Sequence, residues 1–366
     1  MAKLEKNLDK TRKRSQGKVT KSVEPGLSYS DAGVDIDRAE QVKSRIQKLA
    51  QSTFTPQVLS QIGSFAGSYQ LDLSNVIQPT LVSSADGVGT KLNVAFMTGV
   101  HNTVGIDLVA HCTNDILVQG ASPLFFLDYI GMGKLEPTVV EQIIEGLATG
   151  CMDSQCALLG GETAEMPGLY SRGEYDLVGF IVGVVDKWKL YKTEQVQEGD
   201  ILIGLPSSGL HTNGYSLARK LFFDQEKLEV SSYVDELGKT VGEELLVPHR
   251  NYLPVIKDLL RSDDLHGMAH ITGGGITDNL ARALPNTLDA AVERGTWEVL
   301  PIFRFIRERG RVETEEIYRT FNMGLGMILI VAQERADRTQ EFLNARGENF
   351  YLIGEIIPGK GEVRYV

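Results

Sequence analysis

Apolar positions along the chain fall into two patterns: short unbroken runs closed by glycine turns, and longer stretches with a helical repeat. Val42, Ile46 and Leu49 recur among charged neighbours over 37–51, which predicts a helix with one apolar stripe. Residues 81–85 make a run that ends on Asp86, and 124–130 a run that ends in Gly131-Met132-Gly133. Between such strands, 136–153 carries Val139, Ile143, Leu147 and Cys151 at helical spacing. A run from Cys156 to Leu159 enters Gly160-Gly161-Glu162, and 175–185 reads as a further strand. The polar, Lys-rich stretch 186–199 is the natural boundary between halves. Beyond it the pattern predicts strands over 201–206 and 321–330. It predicts helices through Leu217, Leu221 and Phe222, over 245–261, from near Asp278, over 301–309 and over 313–320. A helix and closing strands follow over 341–366. Strands alternate with helices in both halves, so the expected class is α/β (α+β) in two domains, 26–190 and 191–366. No repeat of 20–50 residues appears, which excludes a solenoid.

Composition adjusts this picture little. The 366 residues are 42% hydrophobic and 23% charged, ordinary for a globular protein of about two domains. No run of eighteen apolar residues exists to span a membrane, and the first residues lack the apolar core of a secretory signal. Cys112, Cys151 and Cys156 are too few for a disulfide framework and poorly spaced for zinc; core thiols in a reducing cytosol are expected. Charge is uneven. Residues 1–25 hold eight Lys/Arg against three Asp/Glu, a net +5, so a total of −11 leaves −16 for the rest. The first 25 residues have almost nothing to bury and read as a disordered basic arm. So acidic a body is not expected to bind nucleic acid, and phosphates must be held locally.

Candidate chemistry gathers at three places. In Asp86-Gly87-Val88-Gly89-Thr90-Lys91 a strand delivers a carboxylate, a glycine turn and a cation. Glycines admit a ligand close to backbone N–H groups, and lysine suits phosphate. Asp86 would repel phosphate unless a metal ion lay between them. A plain strand, turn and surface lysine is the alternative. In the stretch 105–120, read as a helix, Asp107, His111, Asn114 and Asp115 share an arc of about 100°. Leu108, Val109, Cys112 and Ile116 lie opposite. That arc has no Lys, Arg or Glu, which favours a binding face over a solvated one. Third, Ser207-Ser208-Gly209-Leu210-His211-Thr212-Asn213-Gly214 links a strand to a helix, and Gly273-Gly274-Gly275 precedes another helix; both are candidate anion loops.

These stretches occur in order from about Leu27 to the C-terminus. With Ser28-Tyr29-Ser30-Asp31-Ala32-Gly33-Val34-Asp35-Ile36-Asp37, Gly160-Gly161-Glu162-Thr163-Ala164-Glu165-Met166-Pro167-Gly168, His270-Ile271-Thr272-Gly273-Gly274-Gly275 and Phe321-Asn322-Met323-Gly324, they resemble the phosphoribosylformylglycinamidine cyclo-ligase (AIR synthetase) family. The resemblance implies a two-domain PurM-like fold, each domain a mixed sheet packed with helices. It implies a homodimer paired through the N-terminal sheets, with ATP near the N-terminal half and the cleft. The implied reaction is ATP- and Mg²⁺-dependent closure of formylglycinamidine ribonucleotide to 5-aminoimidazole ribonucleotide, through a phosphorylated formyl-amide oxygen.

On that basis Asp86, Asp107, Asp115 and Glu162 are the expected magnesium ligands. Gly87, Val88, Gly89, Thr90, Lys91 and Asn114 are expected to hold ATP phosphates. Ser207, Ser208, His211, Asn213 and Gly273, Gly274 and Gly275 are expected at the ribotide. Asp86, Lys91 and His211 are the expected catalytic groups; His211 either moves a proton or only hydrogen-bonds the substrate. Other ATP users of the same superfold share the acidic and glycine elements. Selenophosphate synthetase wants a reactive Cys near the N-terminus, and no Cys precedes Cys112 here. The hydrogenase-maturation protein wants a C-terminal Cys, where this chain reads Arg-Tyr-Val. A non-catalytic nucleotide-binding module is the rival of a different class; substrate-dependent phosphate release separates the two.

Overall fold

The computed structural model describes residues 36–74 and 76–366, the side chains of 36–42 excepted. The arm read over 1–25 and positions 28–35 of the first quoted motif lie outside the described residues.

The first half runs through helix α1 (Ile36–Gln51), strand β1 (Pro79–Gly87), the short helix α2 (Leu92–Thr98) and helix α3 (Asn102–Leu117). Strand β2 (Ser122–Met132), helix α4 (Pro137–Asp153) and strands β3 (Ala157–Glu165) and β4 (Tyr175–Asp186) complete it. The sheet order is β1-β4-β2-β3; β2 and β3 are parallel, the other pairs antiparallel. A parallel pair needs a crossover, and α4 supplies it. Helices α3 and α4 pack backbone to backbone. A Cβ on Gly105 would lie 2.4 Å from Leu147 N, and one on Gly146 only 2.1 Å from Asn102 O. Alternation along β4 sends Leu177, Ile181 and Val185 into the core. Its other face is equally apolar yet open: Leu81, Val178 and Phe180 are 59, 39 and 41% exposed.

The second half contains β5 (Ile201–Pro206), α5 (Tyr215–Arg219), β6 (Tyr233–Val234), β7 (Lys239–Thr240), α6 (Val241–Leu245) and α7 (Leu253–Ile256). It continues with β8 (Leu265–His270), α8 (Gly275–Ala281), β9 (Leu288–Val292), α9 (Pro301–Gly310) and α10 (Thr314–Thr320). Strand β10 (Leu325–Val331), helix α11 (Ala336–Ala345), β11 (Tyr351–Pro358) and β12 (Val363–Tyr365) close it. Six strands form one sheet, β12-β9-β11-β5-β10-β8, in which only β9 and β12 are parallel. Every residue of β10 is buried, as its unbroken apolar run requires. Both halves are thus mixed sheets packed with helices, the PurM-like arrangement.

The helix expected over 245–261 is absent. Regular helix occupies only Val241–Leu245 and Leu253–Ile256, and 246–252 is irregular. Pro248 disfavours the helical conformation at Val247, and Pro254, which cannot donate to Arg250 O, is tolerated only in the first turn of a new helix, α7. The freed backbone groups turn to the first half. Val247 O, His249 N, Arg250 O and Tyr252 N bond Lys91, Asp107 and Asn114.

Candidate active site

The strand-turn-helix at 86–91 does not present its lysine to solvent. The 3-10 turn Gly89–Lys91 swings Lys91 inward, where it is fully buried. Its Nζ lies 2.8 Å from both carboxylate oxygens of Asp107, itself fully buried on α3. Nζ also donates to Val247 O (2.8 Å) and His211 O (3.4 Å). Three acceptor groups thus match the three protons of an ammonium ion. Burial pushes the lysine down and the carboxyl up, and each partner opposes the other's shift. Neither group is available to a ligand in this arrangement. The expected phosphate contact of Lys91 and metal contact of Asp107 are replaced by a bond that pins the 246–252 segment to α3.

Two turns further along α3, Asp115 comes close to Asp86 at the tip of β1. Between them stands His111, whose Nε2 is 2.8 Å from Asp86 Oδ2 and 4.0 Å from Asp115 Oδ2. His270, the last residue of β8, brings Nδ1 to 2.9 Å from Asp115 Oδ1. Its Nε2 is 3.0 Å from His249 Nε2, and Thr212 Oγ1 bridges His111 (2.8 Å) to His249 (3.4 Å). His211 stacks on His249, with ring centroids 4.0 Å apart. Four of the chain's six histidines therefore share one site between the halves. The polar arc of α3 already placed His111 beside Asp107 and Asp115. Nothing in the sequence pointed to His249, because its stretch reads as helix.

The site is half open. The side chains of Asp86 and Asp115 are 40 and 30% exposed, whereas His211 is fully buried. Burial would raise both carboxyls, but the bonds and charges of His111 and His270 outweigh it and hold them below their usual range. Burial would lower His111, but Asp86 and Asp115 raise it. His211 and His249, buried among other histidines and Lys91, are driven well below their ordinary value, and His270 is lowered despite Asp115.

These directions predict the pH dependence of stability. A histidine kept neutral in the fold but free to protonate when unfolded weakens the fold as pH drops below about 6.5. His211, His249 and His270 each work this way, with a limiting slope of about 1.4 kcal/mol per pH unit per group. The contribution of His111 is complete below about 6.5 and is lost as pH rises through its raised value. Urea unfolding from about pH 5 to 8 should therefore show a maximum near neutrality, and H249Q should flatten the acid limb. An acid limb of equal slope in H249Q would contradict this.

The remaining expected residues divide. Asn114 is fully buried and holds Arg250 O (2.9 Å) and Tyr252 N (3.0 Å). The Gly87 amide bonds Asp86 Oδ1 (2.7 Å), the Val88 side chain is buried, and Gly89 and Thr90 are exposed. Ser207 Oγ bonds Asn322, and Ser208 Oγ bonds Pro248 O. His211 has a left-handed backbone (φ 61°), uncommon for a non-glycine residue, and its Nε2 accepts from Ser208 N (3.2 Å). Gly326 makes room for it: a Cβ there would lie 2.5 Å from His211 Cε1 and 2.2 Å from Tyr252 Oη. Asn213 Nδ2 is buried without a partner, and its Oδ1 faces Gly273. Asn279 Nδ2 staples the carbonyls of Gly273 (3.1 Å) and Gly275 (2.9 Å). Glu162 is not brought in. It sits exposed on β3, three strands from Asp86, a separation of about 14 Å at ordinary strand spacing.

Known proteins share this architecture. The AIR synthase related protein N-terminal domain family matches residues 72–185, and the corresponding C-terminal domain family matches 197–366. A phosphoribosylformylglycinamidine cyclo-ligase of Desulfatibacillum aliphaticivorans is 51% identical over 330 residues, 90% of this chain and 95% of that one. That of Pseudothermotoga lettingae is 50% identical over 335 residues, 92% and 98% of the two chains. Among solved structures, thiamine-monophosphate kinase from Stenotrophomonas maltophilia aligns with a TM-score of 0.64 at 18% identity, over 89% of this chain and 94% of that one. The hydrogenase maturation protein HypE in complex with ATP aligns at 0.60 and 16% identity, over 89% and 90%. The two structures share the fold; the two sequences, half identical over nine-tenths of the length, place this chain in the phosphoribosylformylglycinamidine cyclo-ligase family.

Proposed function

We propose that this chain closes formylglycinamidine ribonucleotide to 5-aminoimidazole ribonucleotide in de novo purine biosynthesis, converting ATP to ADP and phosphate. The observation that carries the site assignment is the meeting of Asp86 and Asp115, from two separate elements, at a half-exposed point between the halves. An amide oxygen leaves poorly, and transfer of the γ-phosphate to it makes it a good leaving group. Such transfer needs positioning and charge neutralisation rather than covalent help. The two ionised carboxylates are hard oxygen donors open to solvent, so the residues fit Mg²⁺. Asp86 and Asp115 would hold it, and the ion would neutralise charge on the ATP phosphates. Asp107 is committed to Lys91, and Glu162 lies too far away to join within one chain. The exposed Gly89–Thr90 turn beside Asp86 is where ATP phosphates would meet backbone amides. His111 and His270 orient the carboxylates. His211, buried and strained, positions the loop 207–214 in this arrangement. A coupled assay tests the reaction: phosphate release with Mg²⁺-ATP should require formylglycinamidine ribonucleotide and yield aminoimidazole ribonucleotide. Phosphate release independent of that substrate would refute it.

The open apolar face of β1 and β4 supports a homodimer built through the N-terminal sheets, because a face carrying Leu81, Val178 and Phe180 calls for a cover. Phe180→Glu is expected to convert dimer to monomer at micromolar concentration by light scattering; an unchanged mass would place the interface elsewhere. Three buried free cysteines suit a reducing cytoplasm, and no helix of the described residues is long and apolar enough to cross a membrane.

A further inference from the structure

The part played by His111 and His270 goes beyond orienting two carboxylates. His111, Asp115 and His270 each offer a donor atom, and these atoms all lie within 4.8 Å of one another. Among the described residues no other three His, Cys, Asp or Glu side chains converge in this way. Asp86 Oδ2 adds a fourth donor, 2.8 Å from His111 Nε2. A shell of ligands at about 2.0–2.2 Å from one ion has nearly this diameter. Magnesium takes oxygen ligands and keeps much of its water, whereas imidazole nitrogen suits divalent transition ions.

The hydrogen bonds behind the cluster decide which ring nitrogens face inward without a proton. Asn114 Oδ1 accepts from Tyr252 N (3.0 Å), so its Nδ2 is the donor to Arg250 O (2.9 Å) and to His249 Nε2 (3.3 Å). His249 Nε2 is therefore an acceptor, and His270 Nε2, 3.0 Å away, carries the proton between the two rings. That leaves the lone pair of His270 Nδ1 facing Asp115 Oδ1 at 2.9 Å. Two acceptors so close need a cation between them. A proton serves that contact alone, whereas one divalent ion serves it together with the neighbouring contact of His111 with Asp86 and Asp115. Each of the four side chains is also held from behind. Thr212 Oγ1 meets His111 Nδ1 (2.8 Å), His249 meets His270, Gly87 N donates to Asp86 Oδ1 (2.7 Å) and Ser84 Oγ to Asp115 Oδ2 (3.0 Å). Outer partners of this kind fix the ring orientation and tautomer of metal ligands.

We infer that Asp86, His111, Asp115 and His270 form a mixed nitrogen–oxygen site that binds a divalent transition ion of the Mn²⁺-to-Zn²⁺ series more tightly than Mg²⁺, and binds it without ATP. The inference rests on the reading of Asp86 and Asp115 as metal ligands given above, and not on the identity of the organic substrate.

The test is a titration of the tag-free, metal-depleted full-length protein with Co²⁺ in the absence of ATP. The parent protein should bind a single ion and gain the visible absorption of nitrogen-ligated Co²⁺, and Mg²⁺ should displace it only at concentrations roughly 10²-fold higher or more. Thr212→Val, which reaches the ion only through His111, should weaken Co²⁺ binding about 10-fold, and His111→Gln and His270→Gln at least as much. Thermal melts check that each variant is folded. Should a variant not fold, the parent protein still decides: pulsed EPR of its Mn²⁺ complex should show coupling to imidazole nitrogen. Co²⁺ bound no more tightly than Mg²⁺, an unchanged Co²⁺ affinity in the folded histidine variants, or Mn²⁺ without nitrogen coupling overturns the inference. Any of these in a protein that still cyclises formylglycinamidine ribonucleotide with Mg²⁺-ATP would leave the proposed reaction standing. Co²⁺ held through both histidines in a protein that yields no aminoimidazole ribonucleotide would keep the metal site and refute the reaction.

Discussion

Asp107→Ala should lower the unfolding free energy by about 3–5 kcal/mol, a large share of the ordinary 5–15 kcal/mol. The substitution strands the Lys91 ammonium in the interior with only carbonyl acceptors, those of Val247 and His211. It also removes the acceptor of the His249 amide (2.7 Å), so a buried backbone donor loses its partner. The comparison that isolates the charge is the double variant Lys91→Met, Asp107→Leu. Replacing a buried ion pair by apolar groups of similar size is often neutral or better, so the double variant should recover most of the loss. Urea unfolding of the three proteins measures both. A loss below about 1 kcal/mol for Asp107→Ala would mean that water reaches Lys91 and that the pair is no lock between α3 and 246–252.

The largest effect on turnover is expected at the two half-exposed carboxylates. Asp86→Asn and Asp115→Asn should each reduce kcat about 10²- to 10³-fold, the range for loss of one preorganised electrostatic group. Each change keeps shape and removes one charge, so the melting temperature should move little. The magnesium concentration needed for half-maximal rate should rise with the loss. Glu162→Gln is the internal control. At about 14 Å from Asp86 it should leave the magnesium requirement unchanged in a protein held as a single chain. If Asp86→Asn and Asp115→Asn leave both kcat and the magnesium requirement intact, the metal lies elsewhere. A loss in Glu162→Gln equal to theirs would bring β3 of a second subunit into the site.

Reading residue patterns succeeds where one segment carries the whole message. The run Leu325–Val331 carries no polar side chain and becomes a fully buried strand, flanked by β5 and the edge strand β8 of the six-stranded sheet. The 3.6-residue repeat put Asp107, His111, Asn114 and Asp115 on one side of α3, and all four do face the second half or its boundary. Periodicity failed over 245–261, where spacing resembled a helix but Pro248 and Pro254 released the backbone to Lys91, Asp107 and Asn114.

Local sequence by itself determined which residues are polar, which are apolar and where the chain must turn, because those properties depend on each residue and its near neighbours. That was enough for most of the strands and helices and for the polar arc of α3, but not for the strands β6 to β9, which no run in the sequence singled out. The tertiary structure alone decided how charges of equal type are used. Asp107 and Asp115 stand two turns apart on one helix, yet the first meets a buried lysine and the second meets solvent and two histidines. Burial and the identity of the opposing group set a carboxylate's role, and both depend on distant segments, His249 closing over Asp107 and His270 meeting Asp115, that no local pattern brings together.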